Sequence, residues 1–471
     1  MKLVKNSLKY FILVVVLGLV YAGYNQYPRL NIIAGYSAKN MSSSVFVAGR
    51  DADFTDATDN NFSPVNIADD KVNIDAKSVE TSVYGIMKRK AIYREGLGSV
   101  LITKNYDENT PYKVPRRVKT KMNLPFPYGD LPQKDTVFHN VDYKKLNEVV
   151  NSAFDGLSKT RVILVVYKDQ IIAEKYAEGF DKNSKILGWS MAKSLTSAVY
   201  GVMDKQGRLN RDEFAQIDAW KNDERSKITL NNLLQMNSGL AWEEDYTKIS
   251  DAVKMLYLDS DMTKLQIDKQ LVGKPNETWY YSSGTTNLLS GILRQKFQTL
   301  QEYLDFWYID LIDKIGMFSM LVETDLSGNY VGSSYAWATP RDWAKFGILY
   351  LHNGNWNGEQ IISKDWVKYT RTPTNTSEGV YGAQFWLNTG GHLPDVPKDL
   401  FFADGFQGQR VFIIPSKDLV VVRMGLNLSN LDEQLKNRPI KPSENEDVVK
   451  FELNNKDSND LLKNIISTIN N

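Results

Sequence analysis

The stretch GWSMAKSLTSAVYGVMDKQG, residues 188–207, predicts a helix with two reactive side chains at its start. Apolar residues recur along it at helical spacing, and Gly207 is a typical stop signal. Residues three positions apart share a helix face, so the Ser190 hydroxyl and the Lys193 amine can meet. The N–H groups at a helix start suit an oxyanion. The same field, together with burial, favours a neutral lysine that can act as a base.

Two interpretations of this pair compete, because serine and lysine are common and Ser-x-x-Lys alone is weak evidence. In the plainer one, Ser190 is an ordinary helix N-cap and Lys193 lies in solvent. Two other stretches favour the catalytic interpretation. WYYSSGTTNLLSGIL, which starts at Trp279, puts Tyr281 just before a predicted helix. ADGFQGQRVFIIP, which starts at Ala403, leads a glycine-flanked turn into a predicted strand.

The order Ser-x-x-Lys, Tyr-x-Ser and a glycine turn that opens a strand resembles the penicillin-recognising serine hydrolases. The resemblance is to the branch that contains class C β-lactamases, esterases and 6-aminohexanoate-dimer hydrolases, and it covers about residues 140–428. Two non-catalytic stretches strengthen it, ITLNNLLQMNSGL (228–240) and GSSYAWATPRDWAKFGILYLHNG (332–354). The chain is therefore predicted to be an enzyme, a serine hydrolase of the β-lactamase/penicillin-binding-protein-like superfamily.

The resemblance implies a role for each matching residue. Ser190 would attack a carbonyl and become acylated, Lys193 would accept or shuttle its proton, and Tyr281 would act as general base and then protonate the leaving group. Ser283 stands where many relatives carry asparagine and would contact substrate. The backbone N–H groups of Ser190 and Gln409 would form the oxyanion hole. No metal or organic cofactor is required.

The third motif departs from the family pattern. Aligned on the glycine turn, Phe406-Gln407-Gly408 falls on the Lys-Thr-Gly of β-lactamases and D-Ala peptidases, so Phe406 replaces the cation that holds a substrate carboxylate. We therefore expect neutral esters or uncharged amides as substrates, unless Arg410 reaches the pocket and supplies the missing charge. A β-lactamase or D-Ala-D-Ala carboxypeptidase is the alternative. A non-catalytic envelope-binding protein is a further one.

Hydrophobic patterns elsewhere predict an α+β fold. A helix is predicted over residues 143–157, and strand hairpins are predicted over 161–180 and 410–427. A mainly helical region fills residues 190–370, and a last helix is predicted over 459–469. Together they predict an antiparallel β-sheet flanked by helices with a mainly helical subdomain, as in β-lactamase/transpeptidase-like proteins.

The first 24 residues are predicted to be a signal peptide or a membrane anchor. Three lysines precede an apolar stretch without charges, residues 10–24, which is shorter than the roughly 20 residues of a membrane span. Cleavage after Ala22 would release the chain, and retention would anchor it in the inner membrane. Both outcomes predict export to the bacterial periplasm or cell envelope.

The remainder of the chain is predicted to form two parts. Residues 25–140 form an irregular N-terminal extension or cap with strand-like pieces at 44–47 and 99–103. Residues 141–471 form the hydrolase domain, in which 430–456 is predicted to be a polar surface excursion.

Composition excludes several kinds of site and partner. The net charge of +1, from 57 Lys and Arg against 56 Asp and Glu, argues against nucleic-acid binding. The chain has no cysteine, which excludes disulfides and thiolate sites. No Gly-x-Ser-x-Gly motif accompanies its three histidines, so a Ser-His-Asp triad is not predicted. The acidic run Glu243-Glu244-Asp245 is interpreted as a pocket rim or a solvated surface.

Overall fold

The computed structural model describes residues 2–103, 106–120, 122–129, 131–155, 159–427, 438, 441 and 445–470. The α-helices are α1 (Lys2–Phe46), α2 (Ala52–Ala57), α3 (Tyr143–Ser152), α4 (Met191–Lys205), α5 (Leu230–Leu234), α6 (Asp251–Tyr257), α7 (Ser283–Gln295), α8 (Leu300–Trp307), α9 (Pro340–Leu351), α10 (Lys364–Thr370) and α11 (Glu446–Ile466). The strands are β1 (Ala68–Asn73), β2 (Ser78–Val83), β3 (Met87–Arg94), β4 (Gly98–Leu101), β5 (Thr160–Tyr167), β6 (Gln170–Tyr176), β7 (Ile186–Leu187), β8 (Leu321–Val322), β9 (Ala336–Ala338), β10 (Asn355–Trp356), β11 (Glu359–Gln360), β12 (Trp386–Leu387), β13 (Phe401–Gly405), β14 (Gln409–Ile414) and β15 (Leu419–Gly425).

The chain forms two compact units, and the first comprises Met1–Arg94, Ser99–Glu108 and Asp245–Ser260. Its sheet has the strand order β1-β2-β3-β4, and α1 packs across β1, β2 and β3. The part of the predicted irregular extension up to residue 101 is therefore an ordered helix on a sheet. The strand-like piece predicted at 44–47 is instead the end of α1, whereas the piece at 99–103 overlaps β4.

The apolar stretch 10–24 lies inside α1, a single helix of 45 residues. The later residues of this helix, from Ile33 onward, are buried against the sheet of the first unit. Among the residues that the structure describes, no helix is sufficiently long and apolar to span a membrane.

The second unit contains a six-stranded antiparallel sheet in the order β12-β13-β14-β15-β5-β6. All eight residues of β5 are buried, as expected for a run rich in valine and isoleucine inside a sheet covered on both faces. The turn between β5 and β6 uses Lys168 and Asp169, both with positive φ, which is the geometry that joins a tight hairpin. Both predicted hairpins are thus confirmed.

Alternating side chains of the sheet build two hydrophobic layers. Leu164 and Val166 point to the layer shared with α4 and α9, whereas Val165 and Tyr167 point to the layer shared with α3 and α11. A strand has a period of two, so a single run of apolar residues can supply both layers. This confirms the predicted α+β arrangement of an antiparallel sheet flanked by helices.

The C-terminal prediction is partly wrong. The helix predicted over 459–469 is the second half of α11, which begins at Glu446. The predicted polar excursion at 430–456 therefore overlaps a helix from residue 446 onward. Residues 428–437, 439–440 and 442–444, which include part of that excursion, lie outside the described residues.

Candidate active site

Ser190 immediately precedes α4, and its side chain does not cap the helix. Its Oγ lies 2.9 Å from Nζ of Lys193, one turn further along. The Lys193 side chain is only 2% exposed, because α4 is buried along most of its length. The structure therefore excludes the interpretation in which Ser190 is a plain N-cap and Lys193 is solvated.

Three oxygen atoms surround the amine of Lys193. Besides Ser190 Oγ, Nζ lies 2.9 Å from Ser283 Oγ and 3.0 Å from the backbone oxygen of Ser333. A protonated lysine carries three N–H donors, so these three acceptors satisfy it completely. The acceptors come from three separate segments of the second unit, which converge on one nitrogen.

Burial lowers the pKa of Lys193 to about 8, because removal from water penalises the charged form. The carboxylates of Glu244 and Asp404 act in the opposite direction and favour the protonated amine. The balance leaves roughly a tenth of the lysine neutral at pH 7 and half of it neutral near pH 8. A neutral amine at this distance can accept the proton of Ser190.

Tyr281 joins the same cluster from the segment before α7. Its ring centroid lies 4.7 Å from Nζ of Lys193. Trp386 and Tyr381 hold the ring in place, at centroid distances of 5.3 and 5.9 Å. The structure thus brings Ser190, Lys193 and Tyr281 together, as the sequence motifs predicted.

Ser283 lies behind the lysine and is fully buried. Its Oγ accepts from Lys193 and donates to Glu244 Oε1 at 2.5 Å. The hydroxyl of Ser283 thus has two internal partners, and these contacts support the lysine. Its contact with substrate stays a prediction.

Glu244 is a residue of the site that was not predicted from the sequence. Its Oε1 accepts from Ser283 Oγ, and its Oε2 accepts from the backbone N–H of Ser283 at 2.9 Å and from Nε1 of Trp242 at 2.5 Å. This acid was interpreted as a pocket rim or a solvated surface, and the structure shows it half-buried with internal hydrogen-bond partners. Ser283 lies 39 positions away in the sequence, so no local pattern reveals the contact.

Gly405, at the end of β13, lies in close contact with the segment that carries the nucleophile Ser190. A Cβ atom on Gly405 would lie 2.1 Å from the carbonyl oxygen of Gly188. A Cβ atom on Gly408 would meet the Arg423 side chain instead. Gln409 lies opposite Gly405 in the ladder between β13 and β14. The glycine that contacts the nucleophile segment is therefore Gly405, three residues before Gly408, the glycine chosen in the sequence alignment.

An aromatic surface borders Ser190. Trp189 has a φ of +47°, an unusual conformation for a bulky residue, and such strain is often found at functional sites. Its Nε1 donates to Gln407 Oε1 at 3.2 Å, and Gln407 has a φ of +63°. The ring of Phe406 meets the Trp189 ring edge-on at 5.7 Å and remains 41% exposed.

Arg410 does not offer its charge to this surface. Its side chain is buried, and Nε lies 2.8 Å from Oδ1 of Asp404. A second contact runs from Nη2 to the carbonyl oxygen of Asn454 at 3.0 Å. The guanidinium is thus paired with an acid, which answers the question that the sequence left open.

Known proteins with a similar sequence or fold include hydrolases. The beta-lactamase family model matches residues 151–441. A 6-aminohexanoate-dimer hydrolase from Paenarthrobacter ureafaciens is 22% identical over 303 residues, which are 56% of this chain and 72% of the relative. A candidate 6-aminohexanoate-dimer hydrolase from Bacillus anthracis superposes with a TM-score of 0.51 at 21% identity, covering 69% of this chain and 84% of that one. A candidate beta-lactamase from Bacteroides dorei gives 0.50 at 18% identity, with coverages of 61% and 91%.

Proposed function

The chain belongs to the beta-lactamase family, and from this premise we propose that it is an exported serine hydrolase that cleaves an ester or amide bond through an acyl-enzyme on Ser190. The family and its hydrolase members make the chain a serine hydrolase of the esterase or amidase type. One observation carries the proposed route: the buried Lys193 amine, with a pKa of about 8, lies 2.9 Å from Ser190 Oγ.

Acylation begins when the neutral Lys193 amine takes the hydroxyl proton of Ser190. The Oγ atom then bonds to the carbonyl carbon of the substrate, whose oxygen becomes an oxyanion. As the carbon–oxygen or carbon–nitrogen bond to the leaving group breaks, Tyr281 gives that group a proton. The phenol recovers its proton from the lysine ammonium, so the acyl-enzyme forms with the lysine neutral again.

We assign the oxyanion hole to the backbone N–H of Ser190 and to the N–H that follows Gly405, which belongs to Phe406. The reason is the contact between Gly405 and Gly188, which brings the end of β13 beside the nucleophile. One such donor is commonly worth about 3 kcal/mol of transition-state stabilisation. Water then attacks the acyl carbon, and its proton returns through the same groups to Ser190.

Variants of the three reactive residues test this route by hydrolysis of a nitrophenyl ester. Ser190→Ala and Lys193→Ala should abolish turnover in a protein that still folds, because they remove the nucleophile and its base. Tyr281→Phe should lower kcat by about 10²–10⁴-fold. Tyr280→Phe is the matched control, since Tyr280 is 43% exposed, and it should retain wild-type kinetics. Near-normal turnover by Lys193→Ala or by Tyr281→Phe would refute the assignment of that residue.

The charges around the nucleophile favour a neutral substrate. Neither register of the glycine motif supplies a cation: Phe406 occupies the lysine position in the sequence alignment, and Ala403 occupies it when Gly405 is the motif glycine. Arg410 is paired with Asp404. A charged hydrogen bond to a substrate carboxylate is worth about 1.5–3 kcal/mol, which is one to two decades of binding. Penicillins and D-Ala-D-Ala peptides would lose that contact here.

Values of kcat/KM for a nitrophenyl ester and for a chromogenic cephalosporin measure this preference. We expect kcat/KM to be higher for the ester by at least about one to two decades, because the charged contact that would bind the cephalosporin carboxylate is missing. Phe406→Lys should raise the cephalosporin-to-ester ratio, and Phe406→Met, which adds no charge, should not. Equal turnover of the two substrates by the wild-type protein would favour the β-lactamase alternative.

Export is proposed from the apolar stretch that follows the N-terminal lysines. The described side chains of this part of α1 are large, apolar and 43–69% exposed, which is unusual for a helix that has no partner in a membrane or a translocation channel. They are Tyr10, Phe11, Ile12, Leu13, Val15, Val16 and Leu17.

Cell fractionation tests the export proposal. The wild-type chain should be recovered with the envelope, and the Val15→Asp, Val16→Asp double variant should stay in the cytosol, because charges disrupt an export signal. An exposed-site control outside the stretch, Tyr84→Asp, should fractionate like the wild type. A cytosolic pool of the full-length wild-type chain would contradict export.

A further inference from the structure

We propose that Glu244 is a positioning residue that directs the hydrogen bonds around Lys193 and thereby turns the lone pair of the lysine amine toward Ser190. This inference rests on the proposed function, because it assigns a task within the same proton transfer. Glu244 touches neither Ser190 nor Lys193 in any described hydrogen bond. It acts through Ser283, whose hydroxyl lies between the carboxylate and the amine.

The direction of the Ser283 hydroxyl follows from its partners. An ionised carboxylate is only an acceptor, so the single O–H of Ser283 must point at Glu244 Oε1. Ser283 Oγ therefore faces Lys193 with a lone pair and accepts from it. The N–H groups of Ser283 and Trp242 hold Oε2 at 2.9 and 2.5 Å, and they keep the carboxylate in this place.

The direction of the lysine lone pair follows in turn. A neutral amine has two N–H donors and one lone pair. Ser283 Oγ and the carbonyl oxygen of Ser333 can only accept here, so they take the two N–H groups of Lys193. The lone pair is left for the third neighbour, Ser190, whose hydroxyl it must deprotonate. A neutral side chain at position 244 would let Ser283 turn and donate to that lone pair in competition with Ser190.

The negative charge of Glu244 also has an effect that opposes proton transfer, because it makes Lys193 harder to deprotonate. It favours the protonated amine, as does Asp404, whose own charge is offset by Arg410. The ring of Tyr281 faces the same amine and also favours its cation. Removal of the Glu244 charge should therefore make Lys193 easier to deprotonate while making the neutral amine less well directed. A residue with a merely structural role would not produce this combination.

The first test is the pH profile of kcat/KM for the nitrophenyl ester. Because the base must be neutral, wild-type activity should rise with pH through about 8. In Glu244→Gln the rise should move about 1–3 units toward lower pH, and the plateau should fall about 10- to 100-fold. Glu244→Asp keeps the charge and should keep the rise near its wild-type position. Glu243→Gln, the same change one residue earlier, should match the wild type.

The second test is a double-mutant cycle on the plateau rate. If Glu244 acts through Ser283, then Ser283→Ala should already lose most of the rate, and adding Glu244→Gln should cost little more. If the fold-losses in rate of the two single variants multiply in the double variant, the two residues act independently and the proposal is wrong. A Glu244→Gln profile that rises at the wild-type pH would also overturn it.

A third measurement requires no substrate and separates this inference from the proposed function. The pKa of Lys193 can be followed by NMR in protein labelled with ¹³C-lysine, with Lys193→Arg used to assign the signal. We expect a lower pKa in Glu244→Gln than in the wild type or in Glu243→Gln. An unchanged pKa would overturn the inference about Glu244 even in an active enzyme. A shifted pKa in a protein without esterase activity would support the local electrostatics and count against the proposed function alone.

Discussion

Burial of the Lys193 amine is the constraint on which the rest of the site depends. An ammonium group removed from water is costly unless acceptors or negative charges surround it. The fold meets this requirement with oxygen atoms from Ser190, Ser283 and Ser333, and with the nearby acids Glu244 and Asp404. Because the compensation is partial, the pKa falls to about 8 and the amine can lose its proton near neutral pH.

The second requirement is that a strand passes within contact distance of the nucleophile. The Gly405–Gly188 contact leaves no room for a side chain, and the backbone of Trp189 has the positive φ described above. Trp189 is held there by Gln407 and Phe406 from the turn after the strand. The same turn thus positions the backbone beside Ser190 and carries Phe406, an uncharged residue at the position that the sequence alignment gives to the missing cation.

The sequence predicts those features of the site and fold that depend on local patterns. Ser190 and Lys193 meet because i and i+3 share a helix face, and β5 and β6 form a hairpin because two apolar runs flank a tight turn. The contact between Glu244 and Ser283 joins distant segments, and the register of Gly405 depends on how β13 lies against α4, so neither has a local signature. The N-terminal region looked irregular because its strands are rich in polar residues, and the helix that packs against them, α1, lies in a separate stretch of the sequence.

Covalent labelling of the purified protein with a fluorophosphonate, followed by peptide mapping, shows directly whether burial of Lys193 activates Ser190. A neutral Lys193 beside Ser190 should make this serine react, so we predict one adduct per chain, located on Ser190 and absent from Ser190→Ala. Labelling should become faster as the pH rises through about 8, because the base is then neutral. No adduct at any pH, or an adduct on another serine, would show that the buried Lys193 does not activate Ser190.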